Sequence, residues 1–113
     1  MKLQTLKKRK NFILSNQFAK KCHSKNFILQ KYKDPEQKNI NLKFGFTATK
    51  RIGNAVHRNR AKRRMKALII LFLKNNISSF DLTSSYVLIA KISLIQASFA
   101  DLKNEMKHCL NKL

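Results

Sequence analysis

Leu42-Lys-Phe-Gly-Phe-Thr-Ala-Thr-Lys-Arg-Ile-Gly-Asn-Ala-Val-His-Arg-Asn-Arg-Ala-Lys-Arg-Arg-Met-Lys66 changes period part-way along its length. Up to Thr49 the period is two. Leu42, Phe44, Phe46 and Ala48 share one side, and Lys43, Gly45, Thr47 and Thr49 share the other, the pattern of a strand with one face turned to a core. Gly53 and Asn54 then permit a turn, and Asn54 is of the residue type that caps a helix N-terminus. Beyond it Ala61, Met65, Leu68, Ile69 and Phe72 recur at helical spacing and predict a helix to about Asn75. A helix with such a stripe needs a sheet to cover, which sets the class as α+β.

Outward from this pair the signals are shorter. Residues 6–21 set Leu6, Phe12, Ile13 and Phe18 among basic residues and read as a helix. Asn26 to Tyr32 reads as a strand centred on Phe27, Ile28 and Leu29, and Lys33 to Asn41, with Pro35, as a polar loop. Asn75 to Ser85 reads as polar. Tyr86 to Lys91 is a continuous apolar strand of the kind found at the centre of a sheet. Ser98 caps a last helix with Leu102, Met106, Cys109 and Leu110 inward. The residues alone thus give helix, strand, strand, helix, strand, helix, without internal repeats or a Gly/Ser linker. One domain over residues 1–113 is expected, with the basic end 1–11 as a flexible segment.

Charge gives the next constraint. The 113 residues carry 25 Lys and Arg against five acids, a formal charge of +20. Such an excess opposes compaction and calls for a polyanionic partner. Eight of residues 50–66 are Lys or Arg and none is acidic. On a wheel at about 100° per residue, Asn59, Arg60, Lys62, Arg63, Arg64 and Lys66 spread over one face opposite Ala61 and Met65, and Arg58 falls at the apolar edge. A merely solvated face normally mixes signs, so this one points to phosphates, which Arg forks bind two oxygens at a time. A membrane-surface helix is the next option, weakened because the apolar stripe is needed for the sheet.

The same stretch resembles a known signature. Phe44-Gly-Phe-Thr-Ala-Thr-Lys-Arg-Ile-Gly-Asn-Ala-Val-His-Arg-Asn-Arg-Ala-Lys-Arg63 is similar to that of the bacterial ribonuclease P protein component, in which a strand leads through Gly-x-Ala-Val into an Arg-Asn-Arg helix. The matching positions are Lys50, Gly53, Ala55, Val56, Arg58, Asn59 and Arg60, then Lys62 and Arg63. Leu6 to Arg9 with Phe12, Phe27 to Leu29, and Tyr86 to Lys91 extend the likeness over nearly the whole chain.

The resemblance implies a two-layer α/β sandwich, a small, mostly antiparallel sheet with three helices in the order α-β-β-β-α-β-α, like the second domain of a small-subunit ribosomal protein. It therefore implies four strands where the residues alone show three. It implies a cytoplasmic subunit of a tRNA-processing endoribonuclease, a ribonucleoprotein whose RNA, with Mg2+, removes the 5′ leader of precursor tRNA. No catalytic side chain, organic cofactor, membrane or obligate protein partner is implied. The partners would be ribonuclease P RNA and precursor tRNA. The RNA-binding residues would be Lys50, Arg51, Arg58, Asn59, Arg60, Lys62, Arg63 and Lys66, and the leader-binding residues Phe12, Phe27 and Tyr32. Phe12 matches a family aromatic. A second family aromatic is Asn16 here, and another corresponds to Gln30, with Tyr32 two residues on. Lys66 stands where Arg is frequent, keeping the charge and losing the fork. The clean alternation favours a core role for Phe44 and Phe46.

Other chemistries find less support. Cys22-His23 and His108-Cys109 lack zinc-ligand spacing, and two cysteines are too few for a disulfide scaffold. With five acids and no obvious pair, a protein nuclease site is not indicated, and His57 reads as an RNA or core contact. The basic start has no apolar stretch behind it, so a signal peptide is not expected, and its lysines fit a mitochondrial transit peptide poorly. The longest apolar run, Ala67 to Leu73, is far short of a membrane span. A reducing cytosol fits. A ribosomal-type structural RNA-binding protein remains the alternative. A DNA-binding helix module is disfavoured because strands flank the basic helix.

Overall fold

The computed structural model describes residues 3–5, 20–33 and 42–113. Among these, four strands and two α-helices follow one another: β1 (Lys20–His23), β2 (Phe27–Tyr32), β3 (Lys43–Thr47), α1 (Ala55–Asn75), β4 (Ser85–Ala90) and α2 (Phe99–Lys112). The sheet order is β1-β2-β4-β3. β1 pairs with β2 and β2 with β4 antiparallel, and β3 pairs with β4 in parallel across the α1 crossover. The expected α+β class and four-stranded, mostly antiparallel sheet are present. The expected first helix and the loop with Pro35 lie outside the described residues, apart from their ends.

One of those ends corrects the sequence reading. Lys20 and Lys21 belong to β1, not to a helix, because Cys22 between them and His23 pairs with Leu29 and is buried. The strand has only four residues and one inward side chain, too few to show a period of two. At the basic N-terminal end, Leu3 packs against the core, and the Phe44 N–H donates to the Gln4 carbonyl at 2.9 Å, so Leu3 to Thr5 run beside β3.

The register sorts the sheet's two faces. Cys22, Leu29, Leu88 and Phe46 lie in one cross-strand row, with Phe27 opposite Ala90 and Phe44 opposite Tyr86 in flanking rows. This face forms the core with Met65, Leu68, Ile69 and Phe72 of α1 and Leu102, Met106 and Cys109 of α2. The expected stripes of both helices are therefore buried, with Leu110 half-buried at the margin. The other face carries Ile28, Ile89 and Thr47 in a single row.

The stretch between α1 and β4 is less polar than its sequence suggests. Phe80 is buried and meets Phe44 and Tyr86 edge-on, both at 5.3 Å between ring centroids. The Tyr86 hydroxyl accepts from the Asp81 N–H at 2.8 Å. The Asp81 carboxylate accepts from the Thr83 N–H and hydroxyl at 3.0 and 2.7 Å and from the Ser84 hydroxyl at 2.9 Å, with Lys31 at 3.7 Å. These bonds, those from Thr83 foremost, hold the carboxyl well below the usual carboxylate range. A depressed folded pKa means that the stabilisation is complete above the ordinary carboxylate pKa and fades as pH falls below it. Asp81→Ala should therefore cost about 1 kcal/mol near neutral pH, with the gap to wild type narrowing in urea titrations near pH ~2.5. A gap of equal size at both pH values would show that the carboxylate's charge contributes nothing.

A second carboxylate joins the first hairpin to α2. Glu105 accepts from the Asn26 N–H at 2.8 Å, the Asn26 side-chain amide at 2.6 Å and the Ser24 hydroxyl. Lys91, just after β4, donates from its ammonium to the Ser24 carbonyl and from its N–H to the Asn26 carbonyl. The β1–β2 turn is thus fixed by two groups far downstream in the chain, Lys91 and Glu105.

Candidate nucleic-acid interface

The basic stretch occupies two successive elements. Beyond β3, Thr49 leads into a single 3-10 turn, Lys50–Ile52, in which Ile52 is buried and Lys50 and Arg51 are exposed. Gly53 has φ 132°, a conformation that L side chains rarely adopt. A Cβ there would also stand 3.3 Å from the His57 ring, a tight contact added to a backbone conformation that favours glycine. Asn54 caps α1 as expected, its side-chain oxygen accepting from the His57 N–H at 3.1 Å. The same oxygen lies 2.7 Å from His57 Nδ1. An amide oxygen only accepts, so a hydrogen bond here uses the tautomer with a proton on Nδ1.

From this start the helix divides as the wheel requires. Ala61, Met65, Leu68 and Ile69 are fully buried, while Asn59, Arg60, Lys62, Arg63 and Lys66 are exposed and Arg58 is half-buried at the edge. The first turn of α1 holds no acid. Val56, Asn59, Lys62, Arg63 and Lys66 border a shallow concavity of about 520 Å³. The Lys66 ammonium sits 6.0 Å from the centre of the Phe46 ring, within cation–π reach. Lys50 and Arg51 stand apart from this group. They border a second concavity, of about 780 Å³, whose apolar lining includes Ile28 and Ile89 on the open face of the sheet.

Arg64 departs from the sequence reading. Its guanidinium donates to the Leu94 carbonyl at 2.9 Å and to the carbonyls of Ile95 and Ala97, so it ties α1 to the turn after β4 and leaves the exposed basic face. Its place beside the apolar stripe, three residues after Ala61 and one before Met65, was the available signal. Nothing in the sequence marked the carbonyls it would meet.

Of the proposed leader residues, Phe27 and Tyr32 fall within the described residues. Phe27 is 0% exposed and packs in the core, so its ring has no open face on which a base could stack. This corrects the expectation: β2 turns Phe27 to the helix side, in line with Leu29. Tyr32 ends β2 and is half-buried. Phe12 lies outside the described residues. Phe44 is core, as its alternation indicated, and Phe46 packs against the core while reaching Lys66.

Little in the described residues supports protein-based bond cleavage. No three His, Cys, Asp or Glu side chains gather among them as a metal site. Glu105 and Asp81 are engaged in structural hydrogen bonds. Cys22 and Cys109 are free and buried, and burial, with the Cys22 thiol beside it, pushes Cys109 up to about 12. That disfavours the reactive thiolate. No described helix is long and apolar enough to cross a membrane.

Comparison with known proteins turns this geometry into a family assignment. The family model for ribonuclease P matches residues 1–113. The chain belongs to the ribonuclease P protein family. The ribonuclease P protein component of a Nitratiruptor species is 34% identical over 113 residues, covering 98% of this chain and 93% of that protein. The component from Caulobacter vibrioides is 32% identical over 113 residues, covering all of this chain and 72% of that protein. Two solved structures share the fold. The ribonuclease P protein of Staphylococcus aureus superposes with TM-score 0.76 at 21% identity, covering 98% and 95% of the two chains. That of Thermotoga maritima superposes with TM-score 0.75 at 18% identity, covering 97% of each. Membership makes this chain a component of a tRNA-processing ribonuclease.

Proposed function

We propose that this chain is the cytoplasmic protein subunit of ribonuclease P, binding the enzyme's RNA through α1 and the preceding turn and helping that RNA remove the 5′ leader of precursor tRNA. The observation that carries this is the sorting of α1. Asn59, Arg60, Lys62, Arg63 and Lys66 face outward with no acid among them, while the opposite stripe of the same helix closes the core. Lys50 and Arg51 add a second cationic group beside the open face of the sheet, and Arg58 lies half-buried at the edge of α1.

The division of labour follows from the chemistry. Guanidinium and ammonium groups neutralise phosphates and lower the repulsion between two RNAs brought together. They do not activate water. Hydrolysis is assigned to Mg2+ held by the RNA. Precursor tRNA is the substrate, its single-stranded leader lying against Tyr32 and Phe12 in the manner in which unpaired RNA stacks on aromatic rings.

Reconstitution tests the proposal. The purified protein, added to a bacterial ribonuclease P RNA at low Mg2+, should accelerate precursor tRNA cleavage at the mature 5′ end. An unchanged rate at saturating protein would reject it. RNA binding without acceleration would favour a ribosomal-type structural role.

A further inference from the structure

A groove of about 730 Å³ runs between the first turns of α1 and the 3-10 turn Ile92–Ile95 that follows β4. It is separate from the shallow basic concavity on the outer face of α1, and of the RNA-binding side chains proposed above it shares Arg60 alone. Arg64 is the reason that it has a second wall. By taking the carbonyls of Leu94, Ile95 and Ala97, its guanidinium holds the turn against α1. It also cancels the negative ends of peptide dipoles that would otherwise face an incoming anion.

The lining is half apolar and half polar. Ile52 is buried at its base, and Ile92 stands on the rim 66% exposed. Ile92 thus gives the mouth of the groove an apolar side that a flat apolar group can cover. Ile52 and Ile92 also border the concavity that carries Lys50 and Arg51, so the two hollows adjoin. Of the polar groups, Arg60 is exposed and has no ion-pair partner among the described residues. His57 is held through Nδ1 by Asn54, which leaves Nε2 as the ring atom available to accept a hydrogen bond. Gln96 adds an exposed amide, both donor and acceptor. Among the described residues no acidic side chain borders the groove.

We propose that this groove takes one unpaired nucleotide of the bound RNA. The base lies against Ile92 and Ile95, its edge meets Gln96 and His57 Nε2, and its phosphate pairs with Arg60. A bare phosphate would use the cation and leave the apolar wall idle. The volume falls in the ~300–1,000 Å³ range of small-molecule pockets. An unpaired nucleotide supplies the anion, the flat apolar surface and the open base edge together. The proposal rests on RNA being the partner, and it adds a place where a base is gripped, not only a backbone neutralised.

The test is an NMR titration of the whole isotope-labelled protein with each of the four 5′-nucleoside monophosphates, with inorganic phosphate and ribose 5-phosphate in parallel. At least one nucleotide should give saturable shifts of the Ile92 and Ile95 methyls and the Gln96 side-chain amide, with phosphate moving only signals near Arg60. Identical shifts with phosphate and nucleotides would reduce the groove to an anion site and overturn the proposal, as would no shift there at all. In addition, Ile92→Ala with Gln96→Ala should weaken binding of ribonuclease P RNA about tenfold, the scale of one lost base contact. The salt dependence should stay unchanged because no charge is removed. Unaltered affinity in that variant would also overturn it. The two failures can be told apart: if wild-type protein does not bind or assist the RNA, the proposed function falls, whereas the monophosphate titration reads the groove without that RNA.

Discussion

Replacing Arg60 and Arg63 together by alanine should raise the dissociation constant for ribonuclease P RNA about a hundredfold. Each guanidinium is free to make a charge-assisted bond to phosphate worth about 1.5 kcal/mol or more. Two such losses sum to about 3 kcal/mol, or two decades in affinity. The slope of log affinity against log salt should fall by roughly two, since two fewer counterions are released. Stability should not drop, because both side chains are exposed and their removal relieves repulsion along a helix with no acid in its first turn. Lysine at both positions should recover the salt slope but only part of the affinity, as the fork is lost. Equal dissociation constants and salt slopes for wild type and the alanine variant would show that the RNA sits on another face.

Phe27→Ala should be the most damaging single change to the fold. The ring is wholly buried opposite Ala90, and emptying such a site costs about 3–5 kcal/mol. Against a total of roughly 5–15 kcal/mol for a domain, much of the protein would unfold near body temperature. Phe27→Leu should restore most of the stability. Chemical unfolding of both variants, beside precursor tRNA affinity measured well below the melting temperature, separates the two roles open to this ring. Core packing predicts that affinity survives in Phe27→Leu. Lost substrate affinity in a fully stable Phe27→Leu would return the ring to the leader site.

The contrast between these two predictions shows what can be read from sequence. Leu42 to Thr49 and the stripe from Ala61 to Phe72 are long enough for their periods to stand out, and Asn54 and Ser98 cap their helices as their types suggest. The exposed basic side chains of α1 were legible because a helix fixes direction at every residue. β1 was not, since four residues with one inward cysteine carry no period. Phe80 was hidden in a polar stretch, where a lone aromatic gives no sign of meeting Phe44 and Tyr86. Phe27 begins a strand with apolar residues on both faces, Ile28 beside Phe27 and Leu29, and only the pairing with β4 decides which side is the core. Arg64 and the groove behind it depend on carbonyls thirty residues away, a distance over which sequence patterns are silent.

The sheet order has a consequence for how the protein is made. β4 lies between β2 and β3 and is the only neighbour that they share. It is also the last strand to leave the ribosome. Until residue 90 has been added, β1 and β2 form at most a hairpin, marginal by itself in water, and β3 has beside it only the short segment Leu3 to Thr5. The carboxylate that clamps the hairpin, Glu105, arrives later still. A nascent chain stalled before Ser85 therefore carries the whole basic block on an unfinished fold, with bare strand edges. It behaves as a loose polycation in a setting crowded with RNA, and synthesis of the last quarter of the chain is what converts it into a surface of defined shape.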